Sequence, residues 1–240
     1  MNALLDQILL ANGGTERWNA VTTITAEVTF GGPFWEFKGQ PDFASTELVE
    51  ASARGEFIRQ TDVNTGRTVV FDKARDLVTV TDADGTVIDE LKHPRDTFDG
   101  YTTSSAWSVA QMAYFRSYAT WHYLVEPFVF AFPGVITREI EARIEDGETW
   151  RGLSVTFTDD VDTHNRTQFY YFNDAGRLRR MDYQPEVNDF SPTAHYVREE
   201  TDVDGVTVPT KRHVHIRNQD RSADLSWIPI TLDLTNVRFH

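Results

Sequence analysis

Apolar and polar residues alternate with period two over most of this chain, which predicts β-strands. TTITAEVTF is one such run and ends at Gly31-Gly32-Pro33; WEFKGQPDF and STELVEASARGEFIRQT continue in strand register. Three turn signals then follow closely, Asn64-Thr65-Gly66, Lys73-Ala74-Arg75-Asp76 and Asp82-Ala83-Asp84-Gly85, and divide RTVVF, LVTV and TVIDEL into a meander of short hairpins. From Thr137 onward the alternation resumes in REIEARIE, WRGLSVTF, THNRTQFYYF, GRLRRMDY, AHYVREE, VPTKRHVHIRN and ITLDLTNVRF, separated by Asp146-Gly147, Asn173-Asp174-Ala175-Gly176 and Asp204-Gly205.

Two segments break this rhythm. Near the start, Leu4, Leu5, Ile8 and Leu9 share a helical face, with Asn2 as an N-cap and Gly13-Gly14 as the stop; Trp18 and Val21 in the turn after it are expected to pack under the sheet. The central SSAWSVAQMAYFRSYATWHYL has no breaker and places Trp107, Met112, Phe115, Tyr118 and Trp121 at helical spacing. Its aromatics lie on more than one side and only Arg116 is reliably charged, so a surface helix is excluded and a helix enclosed by the sheet is predicted. No low-complexity linker interrupts the chain, and residues 1–240 read as a single domain. The expected fold is mainly β (α+β): a curled antiparallel sheet or incomplete barrel with helices in its concave side. A closed calycin-like barrel and a two-sheet sandwich are the alternatives.

The opening LLANGGTERWNAVTTITAEVTFGG, the hairpins, the central helix, FYYFNDAGRLRRMDY and the closing ITLDLTNVRF together resemble the LolA-like (lipoprotein-localisation) superfamily. The resemblance implies an incomplete antiparallel barrel that shelters acyl chains against internal helices.

Charge narrows the partners. Lys+Arg 23 against Asp+Glu 37 gives −14, a field that repels phosphate backbones, so nucleic acid is not an expected partner. Without cysteine there is neither a disulfide framework nor a thiolate metal site. No stretch has the apolar length of a membrane span, and MNALLDQILLANGG lacks a basic leader pattern, which predicts no membrane insertion and a cytoplasmic protein.

No GxSxG, P-loop, HExxH or dinucleotide fingerprint is present, and no cofactor is expected. What remains is diffuse. Trp107, Tyr114, Phe115, Tyr118, Trp121, Tyr170 and Phe172, with Arg116 for orientation, make either a solid core or the wall of a cavity for an apolar molecule. In THNRTQFYYF, His164, Arg166, Gln168, Tyr170 and Phe172 share one strand face. In KRHVHIR, the face bearing Lys211, His213, His215 and Arg217 is either inward or solvated, opposite Val214 and Ile216. The H-x-H pair with His195 or His164 would suit a divalent metal, although local hydrogen bonding is the commoner use. Hairpin pairing brings His195 towards Asp182 or Tyr183, a general acid–base arrangement, unless Asp182 pairs with Arg179 or Arg180. Two functions follow. The first is a protein that binds a hydrophobic small molecule or lipid between sheet and helix. The second is a cofactor-independent isomerase, dehydratase or cyclase using His195, Asp182, Tyr183 and His164.

Overall fold

A computed structural model describes residues 3–240, so the Asn2 cap lies outside the described residues. The helices are α1 (Ala3–Ala11), α2 (Thr15–Trp18), α3 (Phe34–Phe37) and α4 (Val109–Val125). The first six strands are β1 (Thr23–Gly31), β2 (Thr46–Ser52), β3 (Phe57–Asp62), β4 (Thr68–Asp72), β5 (Leu77–Thr81) and β6 (Val87–Lys92). The other seven are β7 (Ile136–Glu145), β8 (Glu148–Thr156), β9 (Thr167–Phe172), β10 (Leu178–Tyr183), β11 (Thr193–Val203), β12 (Val206–Ile216) and β13 (Ile230–Phe239).

All thirteen strands form one antiparallel sheet in the order β6-β5-β4-β3-β2-β1-β13-β12-β11-β10-β9-β8-β7. The sheet does not close, which removes both the closed barrel and the sandwich. Each half is a meander, and β13 joins them by pairing with β1 on one side and β12 on the other. The chain must then cross from the free edge at β6 to the free edge at β7, and α4 lies on that crossing. The expectation of an enclosed helix holds: every residue from Ala110 to Val125 is buried.

Local chemistry starts this helix. Ser108 Oγ accepts from the Gln111 amide at 3.1 Å and Gln111 Oε1 accepts from the Ser108 amide at 2.9 Å, a reciprocal capping box. Ser108→Ala is expected to lower unfolding stability by about 1 kcal/mol in urea titration; no loss would mean that packing alone holds this end. The inner face of the sheet supplies the core, alternating cleanly in β1 and β2. Trp18 packs as expected, stacked on Phe128 with ring centroids 4.3 Å apart.

Three strand expectations are corrected. WEFKGQPDF is not extended: it forms α3 and a 3-10 turn at Pro41–Phe43. Lys38 just beyond α3 is buried, donating to the Thr103 carbonyl at 2.7 Å and lying 4.6 Å over the Trp107 ring, and burial lowers its ammonium to about 8. STELVEASARGEFIRQT is two strands with a turn between. The strand expected from His164 begins at Thr167, leaving His164 in the preceding loop and Arg166 exposed.

Candidate functional site

The inner surface of β9–β12 carries a buried cluster of tyrosine and histidine against α4. His164 reaches inward from its loop: Nδ1 meets the Tyr118 hydroxyl at 3.3 Å and Nε2 meets that of Tyr123 at 2.8 Å. The Tyr183 ring stacks on the His164 ring at 3.9 Å between centroids, 5° from parallel. The Tyr183 hydroxyl lies 3.2 Å from His195 Nδ1, and His195 Nε2 is buried without a partner. Burial above all, with neighbouring positive charge from Arg212, depresses His195 well below the ordinary imidazole range; burial with His122 and Arg95 does the same to His164. Burial likewise pushes the Tyr118 and Tyr183 hydroxyls well up. All four groups are neutral near neutral pH.

Proton accounting gives the His164 end of this cluster a direction. The hydroxyl of Tyr118 has one hydrogen-bond partner, His164 Nδ1, so its proton is placed by donating there. Nε2–H of His164 then donates to the Tyr123 hydroxyl. At the other end, where the Tyr183 hydroxyl donates to His195 Nδ1, His195 Nε2 carries the N–H.

Beside this chain, Arg212 Nη2 donates to Glu126 Oε2 at 3.0 Å and stands 4.5 Å over the Tyr123 ring. His122 Nε2 lies 3.3 Å from Glu126 Oε1 and 2.9 Å from the Tyr170 hydroxyl. Burial alone would raise Glu126, but Arg212 and His122 outweigh it and hold the carboxyl below its usual range.

Asp182 is placed elsewhere. In the β10–β11 register Met181 pairs with His195, and Asp182 pairs with Ala194 and faces the convex side. There it accepts from Arg180 Nε at 2.6 Å, with Arg217 Nε 3.8 Å away. Arg180 also donates to the Tyr196 hydroxyl at 2.7 Å and to the Arg221 carbonyl at 2.8 Å, tying the β12–β13 connection across the outside of the sheet. A His195–Asp182 acid–base pair is therefore not formed; Tyr183, on the inner face, is the partner His195 has. The metal alternative is corrected in the same way. His213 and His215 lie on the opposite face from Val214, the partner of His195, and no metal-holding group of three His, Cys, Asp or Glu occurs among the described residues.

Open space lies beside this cluster. A cavity of about 470 Å³ sits where α3, the β10–β11 turn and the β12–β13 connection meet, lined by Phe34, Phe115, Tyr183, Val214, Pro229 and Ile230 among others. Phe37 and Trp227 line it yet are 60% and 46% exposed, so they mark its mouth. Phe115, Tyr183, Val214 and Ile230 also line a slot of about 20 Å³ between α4 and the sheet, whose other walls include Arg116, Thr120, Tyr123 and His195. The first four of these residues are walls common to the cavity and the slot.

Of the aromatic lining expected from sequence, Phe115 borders the cavity and slot and Arg116 the slot; Tyr183 and His195, expected as acid–base groups, are there too. The others are committed to packing. Trp107 lies among Phe34, Phe98 and Phe115, and the Tyr114 hydroxyl donates to Asp162 at 2.8 Å. Trp121 donates to the Ser52 carbonyl at 2.8 Å, Tyr118 is held by His164, Tyr170 by His122, and Phe172 is buried in the core. Sequence reasoning missed Phe34, Phe37, Trp227 and Pro229. A proline marks two of the segments, Phe34 directly after Pro33 and Trp227 two residues before Pro229; Phe37 carries no such signal.

An uncovered antiparallel half-barrel with an internal helix is a fold class that solved structures share. No protein-family model matches the sequence, and no curated protein does. Among solved structures the chain is similar to a LolA superfamily protein, NE2245 from Nitrosomonas europaea. They share 11% identity over 97% of this chain and 92% of that one, with a TM-score of 0.53. It is also matched to a DUF1329 family protein from Desulfovibrio piger (11% identity, 99% and 92% coverage, TM-score 0.46). A third match is the lipoprotein LppX of Mycobacterium tuberculosis (11% identity, 98% and 94% coverage, TM-score 0.33). The chain has the LolA-superfamily fold. Among the described residues no helix is long and apolar enough to cross a membrane. The expected cytoplasmic placement is not retained: the match to a LolA superfamily protein runs against it.

Proposed function

We propose that residues 1–240 act as one LolA-like unit that binds a hydrophobic small molecule or lipid in the cavity at the mouth of the half-barrel. The observation that carries this reading is the cavity of about 470 Å³, walled largely by apolar side chains and sharing four wall residues with a buried slot. Spaces of roughly 300–1,000 Å³ with mostly apolar walls are typical of small-molecule sites. The fold shared with a LolA superfamily protein accords with it. Removing apolar ligand surface from water at about 25 cal/mol per Å² supports micromolar affinity with few polar contacts. The separation of Asp182 from His195 removes the carboxylate that the enzyme alternative relied on.

The test is direct. N-phenyl-naphthylamine should gain fluorescence on saturable binding to the purified protein, and native mass spectrometry of fresh protein should show a co-purified apolar mass. Val214→Phe, which fills the shared wall of cavity and slot, should weaken dye binding about tenfold, or 1.4 kcal/mol. A folded Val214→Phe protein that binds the dye as the parent does would refute the site.

A further inference from the structure

The slot behind the cavity is built differently from the cavity itself. Arg116, Thr120 and His195 all line it, each is at least 99% buried, and each carries a polar atom without a partner: Arg116 Nε, Thr120 Oγ1 and His195 Nε2. An unpaired buried donor costs about 1–3 kcal/mol, so three on residues around one small space call for an occupant. Its size admits about one oxygen-sized group, since a water-sized guest needs about 10–15 Å³.

Chemistry selects the kind of oxygen. Arg116 Nε–H can only donate, and His195 Nε2 donates as well in the tautomer whose Nδ1 accepts from Tyr183; Thr120 can do either. The charge of Arg116 is already matched by Glu47, whose Oε1 lies 2.7 Å from Nη2, and both side chains are buried. His195 is neutral. An anion would therefore arrive without a counter-charge, and burying one unpaired is costly. A hydroxyl would bring a proton for which Thr120 is the single acceptor among these three groups. A carbonyl oxygen brings two lone pairs and nothing else.

We infer that the ligand places an uncharged carbonyl oxygen in this slot, held by His195 Nε2, Thr120 Oγ1 and Arg116 Nε, with its apolar body in the outer cavity. This rests on the cavity being the ligand site. It assigns the ligand to long-chain ketones, esters or comparable carbonyl compounds rather than hydrocarbons or free carboxylates.

The experiment uses methyl undecyl ketone and tridecane, matched in length, as competitors of N-phenyl-naphthylamine, with tridecanoate as the charged comparison. The ketone carbonyl stretch should move to lower wavenumber when bound to the parent protein. Thr120→Val and His195→Phe should each weaken the ketone about fivefold to tenfold while tridecane changes less than about twofold. His195→Gln, which retains an N–H, should recover part of the loss. If ketone and tridecane both bind but the stretch stays hydrocarbon-like and the variants shift both equally, the carbonyl assignment is wrong and the cavity stands. Tridecanoate binding as tightly as the ketone would also overturn it. If neither ketone nor tridecane displaces the dye, the cavity reading itself fails.

Discussion

Replacing Arg212 by alanine is expected to cost about 3–5 kcal/mol of unfolding free energy, the largest single-residue effect anticipated here. The side chain is fully buried, donates to Glu126 Oε2 at 3.0 Å and to the Tyr123 carbonyl at 3.3 Å, and covers the Tyr123 ring. Its removal strands the Glu126 carboxylate in the core with His122 as its remaining partner. The pair itself need not stabilise the fold relative to apolar residues of equal volume, because desolvating both charges offsets most of their attraction. An Arg212→Met, Glu126→Gln double variant should therefore lose much less than Arg212→Ala alone. Urea unfolding of the three proteins decides it. A single-variant loss below about 1 kcal/mol would mean that the core takes up water at this point.

Acid should destabilise the protein well before ordinary carboxylates protonate. His164 and His195 are both held neutral far below the model-compound value of 6.5, whereas the unfolded chain protonates them near it. The unfolded state then binds two more protons than the folded one, so stability falls as pH falls from about 6.5, by about 1.4 kcal/mol per unit for each imidazole. One group opposes this. Glu56, buried beside Asp162, is raised well above 4.5, so above that pH the folded state holds a proton that the unfolded state has lost. Its contribution grows as pH falls and offsets part of the histidine effect. Between about pH 6.5 and 5 the net loss for these three groups is then smaller than the two imidazoles alone would give. Glu56→Gln removes the opposing contribution and should steepen the slope towards about 2.7. Unfolding free energies measured across that window would contradict the assignment if both proteins were flat.

The residues show why some of this architecture was legible in sequence and some was not. Turn chemistry is local: Asn64-Thr65-Gly66 and Asp204-Gly205 need only their own backbone preferences, and the hairpins they close are present, with Gly66 and Gly205 both at positive φ. The α4 segment was equally plain, because a helix with almost no ionised side chain must be enclosed. Strand faces were harder. Alternation marks the core only where one face is wet, and β10 is buried almost throughout because the β12–β13 connection covers its outer side. Arg180 and Asp182 face one way, Met181 and Tyr183 the other, and both sets read as interior. Nothing in LRRMDY distinguishes them. His164 was misplaced for a related reason: its inward position comes from a loop whose path depends on Tyr118, Tyr123 and Tyr183, far from it in sequence.

The position of β13 has a consequence for how the molecule is made. Residues 230–239 are the stitch between β1 and β12, so the two meanders have no seam until that stretch leaves the ribosome. Up to that moment β1 and β12 each present an unpaired backbone edge, the kind of surface that recruits a stray strand from another molecule. The helix that fills the hollow is complete about a hundred residues earlier, and must wait, half sheltered, for the wall that will close over it.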